Sequence, residues 1–343
     1  MGYNQTFANA ITLSAAARAA YNDLTARMPL APWFPTHANP GLEWAFDRRV
    51  SGLADIAEYR EFDAEGTFGH ALGAARLSGK IVPIEIKDRL TEFEQAMFWN
   101  AGQKNQATSA SLIEKVQRGG AAIARRIELA RIDALLNGSV TIDENGQFTN
   151  INFMRDPSLR ATLTGTALWS NAASDPVANI ETWMEAVRLV SGVIPQFAIA
   201  SHDVYNALRV NQSIRNYYYA GMASVGNKVS RTGVLEVLTN ETGLLNIVDA
   251  TTLYAVGELD MANPWPDGKF VLLSSSGPSF GTTEFGVVPM ATDSKFGIGA
   301  SELSGVFARC YDQDNVMGLF TSTQALALPI MPGVNNVFVA TVL

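Results

Sequence analysis

Charge is scarce in this chain. Of its 343 residues, 17% are Asp, Glu, Lys or Arg, against about 25% in typical soluble domains. The sum is −8 at pH 7, with no basic run. Sequence-independent grip on nucleic acid needs Lys and Arg to neutralise phosphates, so the chain is a poor candidate for clamping DNA, although it could enclose DNA without gripping it. There is one cysteine, Cys310, which rules out an internal disulfide and a cysteine-rich zinc site. Flanked by Phe307, Ala308 and Tyr311, it reads as a small buried hydrophobe. The histidines are His37, His70 and His202, too dispersed for an H-x-x-x-H metal motif. No G-x-x-x-x-G-K-[ST] loop is present, so no phosphate-cradling P-loop is expected. The opening MGYNQTF lacks a basic region followed by an apolar one and does not read as a secretory signal. Gly2 and Thr6 fit the myristoylation pattern, a short one that chance matches often.

Charge is absent altogether from Asn315 to Leu343. A membrane span needs about 20 consecutive apolar residues. Here Gln324, Pro329, Pro332, Gly333, Asn335 and Asn336 break the run, and Thr321, Ser322 and Thr323 favour strand. Buried or interface strands are expected, with no transmembrane span.

What the chain does have is a sequence of distinct segments. Residues 1–45 read as an N-terminal arm, with a short Ala-rich helix from Ile11 to Ala26. The helix runs into a stretch punctuated by Pro29, Pro32, Pro35 and Pro40, which can be neither regular helix nor central strand. Residues 46–88 read as two strands, DRRVSGLADIAEYREF and GKIVPIEIKD, joined by a glycine- and alanine-rich tip. Such a protruding ribbon is marginal alone and needs a partner surface. Residues 111–138 form the clearest helix. Ser111 and Glu114 have capping-box spacing; Leu112, Val116, Gly120, Ile123, Ile127, Ala130 and Ala134 recur at helical steps; Asn137-Gly138 supplies the stop. Gly119-Gly120 sits mid-helix, where each glycine costs about 1 kcal/mol relative to alanine, so a bend or a close backbone contact is expected. A hairpin (SVTI, DENG, QFTNINF) follows. Then come a helix starting at Asp175-Pro176 with Ile180, Trp183, Met184, Val187 and Val190 inward, a strand IPQFAIAS, a helix SHDVYNALRV, and strands LLNIVDATTLYAV and KFVLLSSS.

Candidate chemistry is thin. Gly277-Pro-Ser279-Phe-Gly281 matches the G-x-S-x-G nucleophile elbow, which requires a strand before and a helix after. TTEFGVVPMATDSKFG is a poor helix, and every histidine precedes Ser279, against the Ser, acid, His order of that fold. A glycine-rich turn is the better reading. Asp312-Gln313-Asp314-Asn315 lacks the glycine and closing glutamate of a calcium loop and reads as a polar hairpin turn. Arg118, Arg125, Arg126 and Arg131 share their helix with Glu114, Glu128 and Asp133, giving a solvated or subunit-pairing face. Tyr217-Tyr218-Tyr219 reads as a core or interface cluster. No catalytic, cofactor-binding or metal-binding residue is assigned.

The order of parts nevertheless has a known counterpart. QRGGAAIARRIELARIDALLNGSVTI, the hairpin through INF and WSNAASDPVANIETW form one block. GTTEFG with FARCYDQDNVMGLFTSTQALALPIMPGVNNVFVATVL forms a second, and KIVPIEIKDRLTEFE fits just before the helix. Together they cover roughly half the chain. In pattern and order the sequence resembles the lambda-type major capsid proteins of tailed phages, the phage capsid E family, within the Hong Kong 97-type capsid fold. The resemblance implies an α+β fold: N-terminal arm (1–45), extended two-stranded loop (46–88), peripheral domain (89–150) with a long spine helix (111–138), axial α/β domain (151–290), and strands returning to the peripheral domain (291–343). It implies a non-enzymatic shell protein. Copies would assemble as pentamers and hexamers, with scaffold, portal and possible decoration proteins, into a procapsid in the host bacterial cytoplasm. The shell would then expand around double-stranded DNA that it encloses without sequence-specific binding. Lys80 and Lys87 end the loop where some capsids of this fold cross-link to a neighbour's asparagine; the lambda-type branch is generally not of that kind. The alternatives are a cellular encapsulating shell of the same fold and a serine hydrolase using Ser279.

Overall fold

The computed structural model describes residues 2–3, 9–49, 74–100, 104–144, 146–220, 226–250, 264–274, 280–299, 302–313 and 318–343. In chain order the elements are β1 (Gly2–Tyr3), α1 (Ala10–Arg27), β2 (Thr36–Ala38), β3 (Glu43–Arg49), β4 (Ala74–Lys80), β5 (Pro83–Leu90), α2 (Glu92–Asn100) and α3 (Lys104–Asn137). They continue with β6 (Ser139–Glu144), β7 (Gln147–Asn152), β8 (Arg160–Thr162), α4 (Pro176–Ser191), β9 (Phe197–Ala200), α5 (His202–Val210), α6 (Gln212–Tyr218) and α7 (Arg231–Thr242). The remaining strands are β10 (Asn246–Asp249), β11 (Lys269–Leu273), β12 (Thr282–Gly286), β13 (Phe307–Gln313), β14 (Gly318–Ile330) and β15 (Val337–Thr341). Two units result, one from residues 1–44, 78–132 and 282–330, the other from 45–77, 133–281 and 331–343.

The uncharged C-terminal run builds the centre of the first unit. Strand β14 pairs antiparallel with β13 over Gly318–Gln324, with β12 over Leu326–Ile330 and with β5 over Leu319–Leu326. Strand β2 adds in parallel to β12, and β1 pairs with β13. A strand flanked on both edges is enclosed by neighbours, so its residues can be apolar or small throughout. Eleven of its thirteen positions are buried, including Thr321, Ser322 and Thr323. Asn9 caps α1 by accepting from the Thr12 amide at 2.8 Å, and the helix buries Ala10, Leu13, Ser14, Ala17, Tyr21 and Leu24.

Four expectations are corrected here. The ribbon's return strand is β4, which pairs with β3, whereas Pro83–Leu90 lies in the sheet beside β14. Buried Ile81 and Val82 separate the two strands; the Ile84/Ile86 alternation suits a ribbon or a sheet equally. The long helix begins at Lys104, seven residues before Ser111. Thr108 is buried, so the inward face continues through polar residues that an apolar periodicity does not register. The working capping box is Thr91 with Glu94, ahead of α2: the Thr91 amide donates to Glu94 Oε2 at 2.7 Å and the Glu94 amide to Thr91 Oγ1 at 3.3 Å. Finally, the boundaries near residue 290 shift. Strand β12 belongs to the first unit's sheet, while β15 pairs with β11 in the second.

The second unit holds a five-stranded sheet ordered β10-β9-β11-β15-β8. The β10–β9 and β15–β8 pairs are parallel; β9–β11 and β11–β15 are antiparallel. Helix α4 starts where expected: Asp175 accepts from the Val177 and Ala178 amides, Pro176 occupies the first turn, and Gly192 ends the helix at φ 75°. Ile180, Trp183, Met184 and Val187 face a core shared with the sheet, and Val190 packs at its edge. Trp183 stacks on Phe338 at 5.1 Å between ring centroids, and Trp169 meets Phe270 edge-on at 4.9 Å. The β6–β7 hairpin has Glu144 opposite Gln147, with Gly146 in its turn at φ 78°.

Candidate functional site

In the first unit, the glycine pair of α3 is where three elements meet. Adjacent helical residues point about 100° apart, so the two glycines face different neighbours. A Cβ on Gly120 would stand 2.3 Å from the Ala17 carbonyl oxygen of α1; one on Gly119 would stand 2.6 Å from Thr323 Oγ1 and 3.2 Å from Ile86 Cγ2 of the sheet. The pair is a double close approach. Ser14 completes the seat of α1. Its buried hydroxyl donates to the Ala308 carbonyl at 3.1 Å and accepts from the Ala308 amide at 3.0 Å, closing on β13.

Two turns further along α3, Glu128 and Arg131 are buried, at 0% and 1% side-chain exposure, and pair at 3.1 Å. Glu128 also accepts from the Leu30 amide at 3.0 Å. Arg131 donates to Thr283 Oγ1 at 2.9 Å and to the Phe34 carbonyl at 3.4 Å, and Thr283 donates to the same carbonyl at 3.1 Å. Helix, β12 and the proline-rich segment are thereby tied together. This corrects the expected solvated or subunit-pairing face for these two residues; Arg118 is exposed and Arg125 and Arg126 are half-buried. The sequence signal was there: two opposite charges three residues apart, adjoining the apolar stripe.

In the second unit, Arg155 caps the C-terminal end of α3. It donates to the Leu136 carbonyl at 3.0 Å and the Leu135 carbonyl at 2.5 Å. Burial, and secondarily the nearby charge of Arg160, lowers its pKa to about 9, so it stays cationic at neutral pH, where the helix dipole favours a cation. Asp249 is buried at the end of β10. It pairs with His202 Nδ1 at 2.8 Å and Arg231 at 3.0 Å, both of whose side chains are about half exposed.

The other singled-out residues are scattered. Ser279 and His70 lie outside the described residues; β12 begins directly after Gly281, where a nucleophile elbow requires a helix. His37 meets Glu284 at 2.8 Å in the first unit. Cys310 is buried in β13, and burial pushes its thiol pKa up to about 12. Asp312 and Gln313 end β13 before its hairpin with β14, and Asp314 and Asn315 lie outside the described residues. Tyr218 and Tyr219 pack on the second core, while Tyr217 is exposed. Lys80 is exposed, and Lys87 pairs with Glu85 at 3.4 Å. Among the described residues no group of three or more His, Cys, Asp or Glu side chains is placed to hold a metal, and no helix is long and apolar enough to cross a membrane. The well-built features therefore fix elements to each other; they do not converge on a reacting atom.

The family model described as "Phage major capsid protein E" matches residues 36–342. No curated protein matches the sequence. Among solved structures, a prophage protein of E. coli CFT073 described as a capsid protein superposes with a TM-score of 0.59 at 14% identity, covering 98% of this chain and 99% of its own. A phage-related protein from Bordetella bronchiseptica RB50 gives 0.53 at 15% identity and 98% coverage of both chains. The capsid of Myoviridae phage XM1 gives 0.51 at 12% identity, with 92% and 91% covered. At these identities the likeness is one of fold.

Proposed function

The chain belongs to the phage major capsid protein E family, and we propose that it builds a procapsid which expands into the head enclosing the double-stranded DNA of a tailed phage. It is a major capsid protein, a shell-forming component of the virion. The observation that carries the proposal is the family match over residues 36–342, on a fold whose polar networks join structural elements. On this reading the chain has no catalytic role, and its partners are its own copies, a scaffold, a portal and possible decoration proteins, met in the host cytoplasm. Helix α3 serves as the spine of a peripheral domain built on the first sheet. The β3–β4 ribbon is the stem of an extended loop laid across a neighbour, the N-terminal residues form an arm, and the second unit is the axial domain. Heterologous contacts between identical subunits close into rings and shells, and a chain low in charge suits a subunit that covers much of its surface with copies of itself.

The test is negative-stain electron microscopy with light scattering on the purified chain, with scaffold supplied. Closed shells, or pentameric and hexameric rings, are expected; a stable monomer under all assembly conditions would overturn the proposal. Particles recovered from infected cells should carry nucleic acid. Particles filled with protein cargo instead would point to a cellular encapsulating shell.

A further inference from the structure

Between two buried side chains, Phe34 and Trp44, residues 35–43 cross the surface of the first unit as a strap, and all of them but Asn39 are exposed. The strap contains β2, the last strand of its sheet, lying beyond β12. Strand β12 is of the opposite kind: four of its five residues are buried. Its outer backbone groups are taken up by the strap. The Thr283 amide donates to the Pro35 carbonyl at 2.9 Å, and the Asn39 amide donates to the Phe285 carbonyl at 2.7 Å. With the strap lifted, those groups would form the open edge of a well-packed strand, a template for pairing with another chain.

The strap is itself a poor template. Strand β2 has only three residues, and Pro35 and Pro40 bracket it; proline has no amide to donate. Short edge strands and edge prolines both discourage further pairing. A polar clasp holds the strap down. Glu284 of β12 lies opposite His37 in the register and is buried. It meets His37 Nδ1 at 2.8 Å, and it accepts from Asn39 Nδ2 at 3.4 Å and from the Thr282 hydroxyl at 2.9 Å. A carboxylate inside a packed strand is costly unless polar groups reach it, and two of these three come from the strap. Asn39 also shapes the return of the chain: its Nδ2 donates to the Glu43 carbonyl at 3.0 Å and its Oδ1 accepts from the Gly41 amide at 2.8 Å.

We infer that residues 35–43 guard the first sheet: they occupy the outer edge of β12, keep it from pairing with a strand of a second copy, and are held in place by the Glu284 clasp. The sequence places the clasp where it is needed, with the carboxylate on the strand to be covered and its two partners on the cover. The guard matters most in the free subunit, where an open edge would offer a route to irregular association. It acts in this way whether or not the chain builds shells.

The experiment compares the full chain with His37→Ala and Asn39→Pro, under conditions where the wild type stays a free subunit. The His37 side chain is 64% exposed, so its loss opens the clasp with little loss of packing. Asn39→Pro removes the amide that reaches the Phe285 carbonyl. Hydrogen exchange at the Thr283 amide should quicken at least about tenfold in both, since each loses a bond that holds the strap closed. Light scattering and a dye that binds β-sheet aggregates should show association at least about tenfold faster, in step with the open population, and electron microscopy should show irregular or fibrous material. Gly146→Ala, in the hairpin of the second unit, supplies a small loss of stability away from the strap and should change neither readout. Unchanged exchange at Thr283 in both variants would overturn the clasp, and faster exchange without association would overturn the guard. Equal association in Gly146→Ala would trace it to general unfolding and overturn the inference as well. Should Asn39→Pro fail to fold, His37→Ala decides alone.

Discussion

Gly120 and Ala17 stand so close that a methyl group on the glycine would lie 2.3 Å from the Ala17 carbonyl oxygen. That oxygen is backbone, and α1 is held from its other side by Ser14 on β13. Gly120→Ala gains about 1 kcal/mol of helix propensity and loses more to overpacking, typically 1–3 kcal/mol. The expected result is a lower urea midpoint and, in assembled material, a looser N-terminal helix in hydrogen exchange. An unchanged or raised midpoint would show that the helices can part at little cost.

Gly146 offers the contrasting case. Nothing lies within 4 Å of its missing Cβ, and its φ is 78°, so Gly146→Ala meets only backbone strain, about 1 kcal/mol. Urea unfolding should detect this small loss, while Gly146→Asn, which tolerates the left-handed region, should lose less. Equal losses for the two variants would contradict a purely conformational cost.

Glu128 and Arg131 should behave as a unit. Removing the acid alone strands a buried guanidinium, and breaking a buried pair from one side costs about 3–5 kcal/mol. Replacing both by leucine and methionine should cost much less than the two single changes summed. A double-mutant cycle by chemical denaturation measures the difference, and additive effects would mean that the pair is not coupled.

Cys310 gives a pH dependence with a defined sign. Its folded pKa, about 12, is above the ordinary value of 9.0. Between those values the unfolded chain has released the thiol proton and the folded one has not, so the stabilisation is full below pH 9 and is lost as the pH rises towards 12. Cys310→Ala should flatten the alkaline fall in stability, with a slope change approaching 1.4 kcal/mol per pH unit as an upper bound of about that size. At pH 8 the native thiol should resist an aromatic disulfide reagent and react once guanidinium unfolds the chain. Rapid native labelling would show that β13 opens readily.

The sequence by itself determined the helices whose inward faces are written at helical spacing and whose ends carry their own signals. Helix α4, with Asp175, Pro176 and Gly192, is the clearest. It also determined the hairpin after α3, the burial of Cys310, and the need for either a bend or a close contact at Gly119-Gly120, because a local chemical rule governs each. It carried enough ordered pattern to place the chain in a capsid family. Only the tertiary structure decided which element each glycine touches, that Pro83–Leu90 pairs with β14 and that β15 leaves the first sheet for β11. The same holds for Glu128 and Arg131, which lie in the interior. The physical reason is common to all of these: strand alternation gives a face and not a partner, and a charge is tolerated inside only when distant backbone groups such as the Leu30 amide and the Phe34 carbonyl arrive to satisfy it.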